Sequence, residues 1–209
     1  MVDLTGLHKH FILEHLGEGD VAVDFTMGNG NDTLFLSKVV GESGRVYAFD
    51  IQEEALVSTR EHLMREGAPE NYTLICASHH RVREFVNEPI KAGMFNLGYL
   101  PRSGRKAVTT LRETTMPAVC AAIELLSPDG VLIVAIYPGH EEGALEGDML
   151  REYFSGLSRF RICASEFRIL NSPASPYFFL IEKSPRSEEQ LAAAIAKAKR
   201  HSAPDIPES

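Results

Sequence analysis

The stretch Val21–Thr33, VAVDFTMGNGNDT, decides how this chain is read. Small and apolar residues run up to an acid, Asp24. Two glycines, Gly28 and Gly30, follow one residue apart, and a helix-like segment starts at Asn31. A strand, a tight turn and a helix in that order put the loop at the carboxyl end of a parallel strand. Open α/β sheets bind their ligands there. Glycines let the backbone turn sharply and let a ligand lie close against it.

Outward from this loop, short apolar runs alternate with longer amphipathic ones. Val21–Phe25, Arg45–Asp50, Tyr72–Ala77, Ala92–Leu97 and Val131–Tyr137 read as strands, several of them apolar nearly throughout, as strands buried on both faces must be. Asn31–Val40, Gln52–Glu66 and Thr110–Leu126 read as helices, and Leu4–Leu16 as an opening helix. Gly41, Gly44, Gly67 and the pair Asp129-Gly130 stand where such helices should stop. Arg161–Leu170 and Tyr177–Lys183, joined by NSPASP, read as an antiparallel pair. The expected fold is α/β: a doubly wound, mainly parallel sheet of seven strands, Rossmann-like, with that pair at its end. One domain over residues 1–183 is expected. An Ala- and Lys-rich helix at Ser187–Arg200 and a disordered tail, HSAPDIPES, would make up residues 184–209.

The 209 residues are enough for one full core. A net charge of -8 argues against a surface that grips nucleic acid everywhere, but leaves room for a local basic patch. Cys76, Cys120 and Cys163 have no metal-ligand spacing, and one would be left over from any disulfide, which fits a reduced, cytoplasmic setting. No apolar run is long enough to span a bilayer and no signal-peptide pattern opens the chain. His8, His10 and His15 do not share one helical face, so they read as solvated surface rather than a metal site.

Charge discriminates between ligands for the loop. A pyrophosphate needs a third small residue and free N–H groups at the helix start. Here that position is Thr33, and both Asp24 and Asp32 would repel phosphate. S-adenosylmethionine has no phosphate; it carries an ammonium, a sulfonium and a carboxylate, and suits an acid beside an open backbone. Asp50, roughly 20 residues past the glycines, is placed to accept two ribose hydroxyls. The plain alternative is that Asp24 and Asp50 only cap turns.

With these residues in place, the chain resembles the class I methyltransferases dependent on S-adenosylmethionine: DFTMGNG matches their D-x-x-x-G-x-G loop and FDIQ their second-strand acid. DFTMGNGNDTLFL, VYAFDIQ, SHH, MFNLGYLP and IYPGH also occur in the order seen in a small bacterial family. That family was first described as rRNA methylases and is now associated with methylation of 5-aminomethyl(-2-thio)uridine at the tRNA wobble position. The likeness spans roughly Leu4 to Lys183. The family usually has Ala where this chain has Met27, and Asp where it has His80. By position, the resemblance implies cofactor contacts from Asn29, Asn31, Asp50, Gln52, Ser78 and His79, beside Asp24, Gly28 and Gly30 of the loop.

Asn96-Leu97-Gly98-Tyr99-Leu100-Pro101 resembles the N-P-P-Y loop of methyltransferases that act on nucleobase amines, without its two middle prolines. In that loop the Asn oxygen accepts from the target amine and the aromatic ring stacks on the base, which implies those parts for Asn96 and Tyr99. An altered pocket suits an aminomethyl group hanging from a pyrimidine. His140 in YPGH stays open between proton acceptor, substrate positioning and plain loop residue. Tyr137 stays open between stacking on the base and packing in the core. Arg102, Arg105 and Lys106, with Arg81 and Arg83 on the same expected rim, could hold RNA phosphates without reading sequence.

The expected activity is N-methylation of tRNA by a monomer or homodimer, using S-adenosylmethionine and no metal. The alternatives are methylation of rRNA or of a small amine, and a nucleotide-binding module without catalysis. A nicotinamide-dependent oxidoreductase is disfavoured by Thr33 and the loop acids.

Overall fold

The computed structural model describes residues 4–97, 111–139 and 141–201. The chain runs α1 (Leu4–Leu13), β1 (Val21–Asp24), α2 (Asn31–Val40), β2 (Arg45–Asp50), α3 (Glu53–Arg65) and β3 (Tyr72–Cys76). A short 3-10 helix (His79–Glu84) leads to β4 (Ile90–Leu97), α4 (Arg112–Leu125), β5 (Leu126–Ile136), α5 (Glu141–Ser155), β6 (Ile162–Phe167), β7 (Tyr177–Lys183) and α6 (Glu188–His201). The strands form one sheet in the order β3-β2-β1-β4-β5-β7-β6. The first five are parallel; β7 lies antiparallel to both β5 and β6.

Side chains alternate across a strand, so each apolar run supplies two cores. Leu132, Val134 and Ile136 join Val23, Phe25 and Phe95 on one face, under the 3-10 helix, α4 and α5. Val131, Ile133 and Ala135 join Ala22, Ala92 and Met94 on the other, under α1 and α2. Phe25 and Phe95 stack with ring centroids 4.1 Å apart and 4° between planes, which ties β1 to β4 just below their carboxyl ends. Because the strands are in parallel register, Asp24, Asp50 and Asn96 all finish at one edge of the sheet.

Three features differ from the sequence reading. Asp129-Gly130 does not stop a helix: α4 already ends at Leu125, and the pair lies inside β5, where the register jumps between the Ile90 and Ala92 pairings. Asp129 there adopts φ 58, with its carbonyl accepting from His15 Nδ1 at 3.0 Å and its carboxylate 3.4 Å from Lys91 Nζ. Helix α5 has no counterpart among the expected elements, because two glycines interrupt its apolar pattern; Gly147 lies so close under the Tyr177 hydroxyl that a β-carbon has no room. His8 is buried rather than solvated, its ring edge-on to Phe178 at 6.1 Å. No helix among the described residues is long and apolar enough to cross a membrane.

Candidate active site

The glycine loop is built as much by α3 as by its own sequence. Gly28 (φ 52) and Gly30 (φ 79) take the left-handed backbone that side chains disfavour. A β-carbon on Gly30 would stand 2.8 Å from Thr59 Cγ2 and 3.1 Å from Thr59 Cα, so α3 needs hydrogen at that position. Thr59 Oγ1 donates to the Gly28 carbonyl at 3.0 Å, His62 Nδ1 bonds the Asn29 carbonyl at 2.8 Å, and Ser58 Oγ donates to Asn29 Oδ1 at 3.0 Å. Among the described residues Asn31 is exposed at the first position of α2.

The two acids differ in place. Asp24 has no exposed surface; it accepts from Thr33 Oγ1 at 2.6 Å and from the Thr26 N–H at 3.1 Å. It lies behind the loop and braces it, rather than presenting an oxygen to the crevice. Burial, with nearby Asp32 adding to it, pushes its pKa up to about 7. Asp50 is half-buried and joins loop to strand, its oxygens accepting the Gly28 N–H at 3.1 Å and the Gln52 N–H at 3.0 Å. The Gln52 side chain and the Ile51 N–H also bond this carboxylate, so ribose hydroxyls would share its roughly four acceptor sites with them. Burial raises its pKa as well.

Asp24 yields a pH prediction. A carboxyl whose pKa is higher in the folded than in the unfolded chain takes up a proton on folding. Its stabilising share is whole below about 4 and is lost as pH rises through about 7. Asp24→Asn keeps the Thr26 and Thr33 partners and removes the charge. Without cofactor, its urea midpoint should change less between pH 5 and pH 8 than that of the wild type. Parallel pH dependence in the two proteins would contradict the assignment.

Beyond Asp50, Ile51 is 57% exposed, and an open depression of about 720 Å³ lies between Ile51, Gln52, Val57 and Ser58. The apolar residue after the second-strand acid was the available signal for that surface. Ser78 and His79 follow β3. Ser78 Oγ bonds His80 Nδ1 at 2.8 Å. His79 is buried, its ring edge-on to Phe95 at 5.7 Å, and its Nε2 has no hydrogen-bond partner. Desolvation pulls its pKa down to about 4, against a backbone hydrogen bond to Phe25, so the ring is neutral.

The second cluster lies across the crevice. The Asn96 N–H donates to Thr26 Oγ1 at 2.7 Å, and Asn96 Nδ2 donates to Asp32 Oδ2 at 2.7 Å. A carboxylate accepts only, so it fixes which way the amide faces. Asn96 Oδ1 is turned the other way, toward the Tyr137 hydroxyl at 3.5 Å. Lys9 Nζ stands 3.0 Å from Asp32 Oδ1 and 4.9 Å from the centre of the Phe35 ring. Burial and Asp32 raise the Tyr137 pKa. Lys9 lies in no motif, Thr26 fills a variable position of the glycine loop, and Asp32 reads from sequence only as a repeller of phosphate; what joins them to Asn96 is contact between α1, the glycine loop, α2 and β4.

Gly98, Tyr99, Arg102, Arg105, Lys106 and His140 lie outside the described residues. Arg81 is paired with Glu84 at 2.9 Å. Arg83 bonds Glu124, one residue from the end of α4 and near the start of β5, so it points to the far end of the sheet rather than to the rim. No group of His, Cys, Asp or Glu among the described residues could hold a metal ion.

The donor set fits S-adenosylmethionine. Asp50 presents a half-buried carboxylate to the ribose, Ile51 offers apolar surface beside it, and the left-handed Gly28 and Gly30 leave the loop open where side chains would close it. The strand order, with its reversed β7 and the glycine loop after β1, defines a class I methyltransferase. The family model described as "Putative rRNA methylase" matches residues 46–183, and the chain belongs to that family. It is an S-adenosylmethionine-dependent methyltransferase of the tRNA/rRNA type.

A chloroplastic protein of Arabidopsis thaliana, named tRNA (mnm(5)s(2)U34)-methyltransferase, is 37% identical over 185 residues, 83% of this chain and 67% of that protein. A crystal structure of an rRNA-methylase homologue from Clostridium thermocellum superposes with a TM-score of 0.84 at 38% identity, covering 88% of this chain and 98% of that one. The methyltransferase SMU.1697c of Streptococcus mutans, solved in complex with SAH, gives 0.79 at 36% identity, covering 88% and 99%.

Proposed function

We propose that this protein methylates the 5-aminomethyl group of (2-thio)uridine at the tRNA wobble position, giving the 5-methylaminomethyl nucleoside. The observation that carries the reading is the 37% identity, over 83% of the chain, to a relative named for that tRNA position. The orientation of Asn96 supports it: an amide oxygen turned away from Asp32 is an acceptor for the N–H of an amine. A second reading, rRNA as substrate, is favoured by the description of the matching family.

In this proposal Gly28, Asn29, Gly30, Asn31, Asp50, Gln52, Ser78 and His79 hold the cofactor, with Asp24 bracing the loop. The cofactor supplies an electrophilic methyl group on a sulfonium. The rest falls to the protein. Asn96 Oδ1 orients the amine, Tyr99 and Tyr137 stack or position the base, and His140 takes a proton or positions the substrate. The amine must be neutral to attack, so acceptors that favour the free base raise the rate. Alignment of two bound reactants supplies much of the remainder. Residues 1–183 form the catalytic unit of a cytoplasmic monomer or homodimer, and residues 184–209 an appendage.

The test is incubation of isotope-labelled S-adenosylmethionine with tRNA carrying 5-aminomethyl(-2-thio)uridine, and separately with rRNA, followed by nucleoside analysis. Label in the methylaminomethyl nucleoside is expected; label in rRNA alone would replace this reading by the second. If Arg102, Arg105 and Lys106 meet phosphates, tRNA affinity falls with salt. Changing all three to Ala should then flatten the slope of log K against log salt by about 2–3. An unchanged slope would remove them from the interface.

A further inference from the structure

We infer that the target amine is received by a charge-compensated carboxylate: Asp32, with Asn96 Oδ1, accepts its N–H groups, while Lys9 cancels the charge that would otherwise hold the amine as ammonium. The inference rests on the amine substrate proposed above and gives a part in the reaction to two residues, Lys9 and Asp32, not assigned one so far.

Asp32 touches both sides of the crevice. It is the second residue of α2, just after the glycine loop, and accepts from Asn96 Nδ2 at 2.7 Å. Its side chain is 14% exposed, enough to be reached and too little for water to screen it fully. A carboxylate so placed attracts an alkylammonium, but it also stabilises the protonated form, which has no lone pair to attack with. Lys9 meets this difficulty. Its ammonium stands 3.0 Å from Asp32 Oδ1, and the Phe35 ring beneath it, 4.9 Å away, helps to fix it. The ion pair keeps its hydrogen-bond acceptors and has no net charge. Close to it, a second cation gains little from Asp32 and is repelled by Lys9.

The other groups facing Asp32 fit this account. Asp24, from β1, is fully buried and acts on Asp32 at short range, while Tyr137, after β5, feels Asp32 as a like charge to its own anion. Asn96, from β4, is neutral. Among the described residues Lys9 is the cation that bears on Asp32 at this site. As the amine enters, R–CH2–NH3+ gives one proton to water. The N–H electron pair stays on nitrogen as the nucleophilic lone pair, and the two remaining N–H groups point to Asp32 and Asn96 Oδ1.

The experiment measures kcat against pH, with cofactor Kd by calorimetry, for the wild type, Lys9→Met, Lys9→Arg and Asp32→Asn, using tRNA that carries the aminomethyl nucleoside. Lys9→Met should move the acid limb of kcat to higher pH by about one unit, because one like charge a few ångströms from the amine is removed. Lys9→Arg keeps the charge and should leave the limb in place. Asp32→Asn should lower kcat/KM by about 100-fold and leave cofactor Kd within about threefold. If the wild type leaves this tRNA unmethylated, the proposed function falls and this inference with it. If the wild type methylates it and the Lys9→Met profile superimposes on wild type, or Lys9→Arg shifts as Met does, the inference alone falls. Equal losses of activity and cofactor affinity in Asp32→Asn would overturn it as well.

Discussion

Asn96→Ala is expected to lower kcat/KM by about 100- to 1,000-fold while cofactor Kd stays within about threefold. The size is that of losing one preorganised hydrogen-bond partner at a reacting centre. The asymmetry comes from position. Asn96 stands one residue from the end of β4, whereas the glycine loop, Asp50 and Ile51 lie over β1 and β2. The main-chain bond from the Asn96 N–H to Thr26 Oγ1 survives the substitution, so the loop on the cofactor side keeps its brace. The side chain alone is lost, and with it the acceptor Oδ1 and the donor that orients Asp32. Steady-state kinetics on tRNA with parallel calorimetry separates the two effects. Equal losses in both would mean that Asn96 holds the loop and does not meet the amine.

Gly30→Val should abolish measurable cofactor binding, a loss of more than about 100-fold, and lower stability by about 2–4 kcal/mol. Two costs add. At φ 79 a β-branched residue is forced into the left-handed region, at about 1–2 kcal/mol. Its β-carbon would then meet not only the methyl of Thr59 but the Cα, which is backbone of α3 and cannot rotate away. Loop and helix must separate. That breaks the bond from Thr59 to the Gly28 carbonyl and disturbs the Gly28 N–H that Asp50 accepts. Urea unfolding and calorimetry measure the two losses. Wild-type values in both would show that the loop has a different shape in solution.

Local patterns of this chain are plain to read because their causes are local. A short apolar run flanked by turn residues reads as a strand, and a longer amphipathic run after a glycine turn reads as a helix. Arg45–Asp50, Tyr177–Lys183 and Asn31–Val40 therefore have the same bounds in the sequence reading and in the structure. Parallel order follows because helices separate the strands, and the reversal of β7 because only a short turn precedes it. Where several signals conflict, the reading slips. The glycines of α5 mask a helix that packing against Tyr177 stabilises, and Asp129-Gly130 proved to be a bulge held by Lys91 and His15.

From composition and pattern alone came the sheet, the edge at which Asp24, Asp50 and Asn96 end, and the preference for a cationic ligand over a pyrophosphate. The fold decided which acid faces that ligand's crevice and which hides behind it: Thr33 and Thr26 enclose Asp24, while Asp50 stays partly exposed. It also brought Lys9, Asp32 and Asn96 into one hydrogen-bonded chain, although Asp32 and Asn96 are 64 residues apart. Periodicity and turn chemistry act over a few residues and are written along the chain. Burial, charge pairing and side-chain orientation arise from whichever elements the sheet makes neighbours, and no short window of sequence contains both partners.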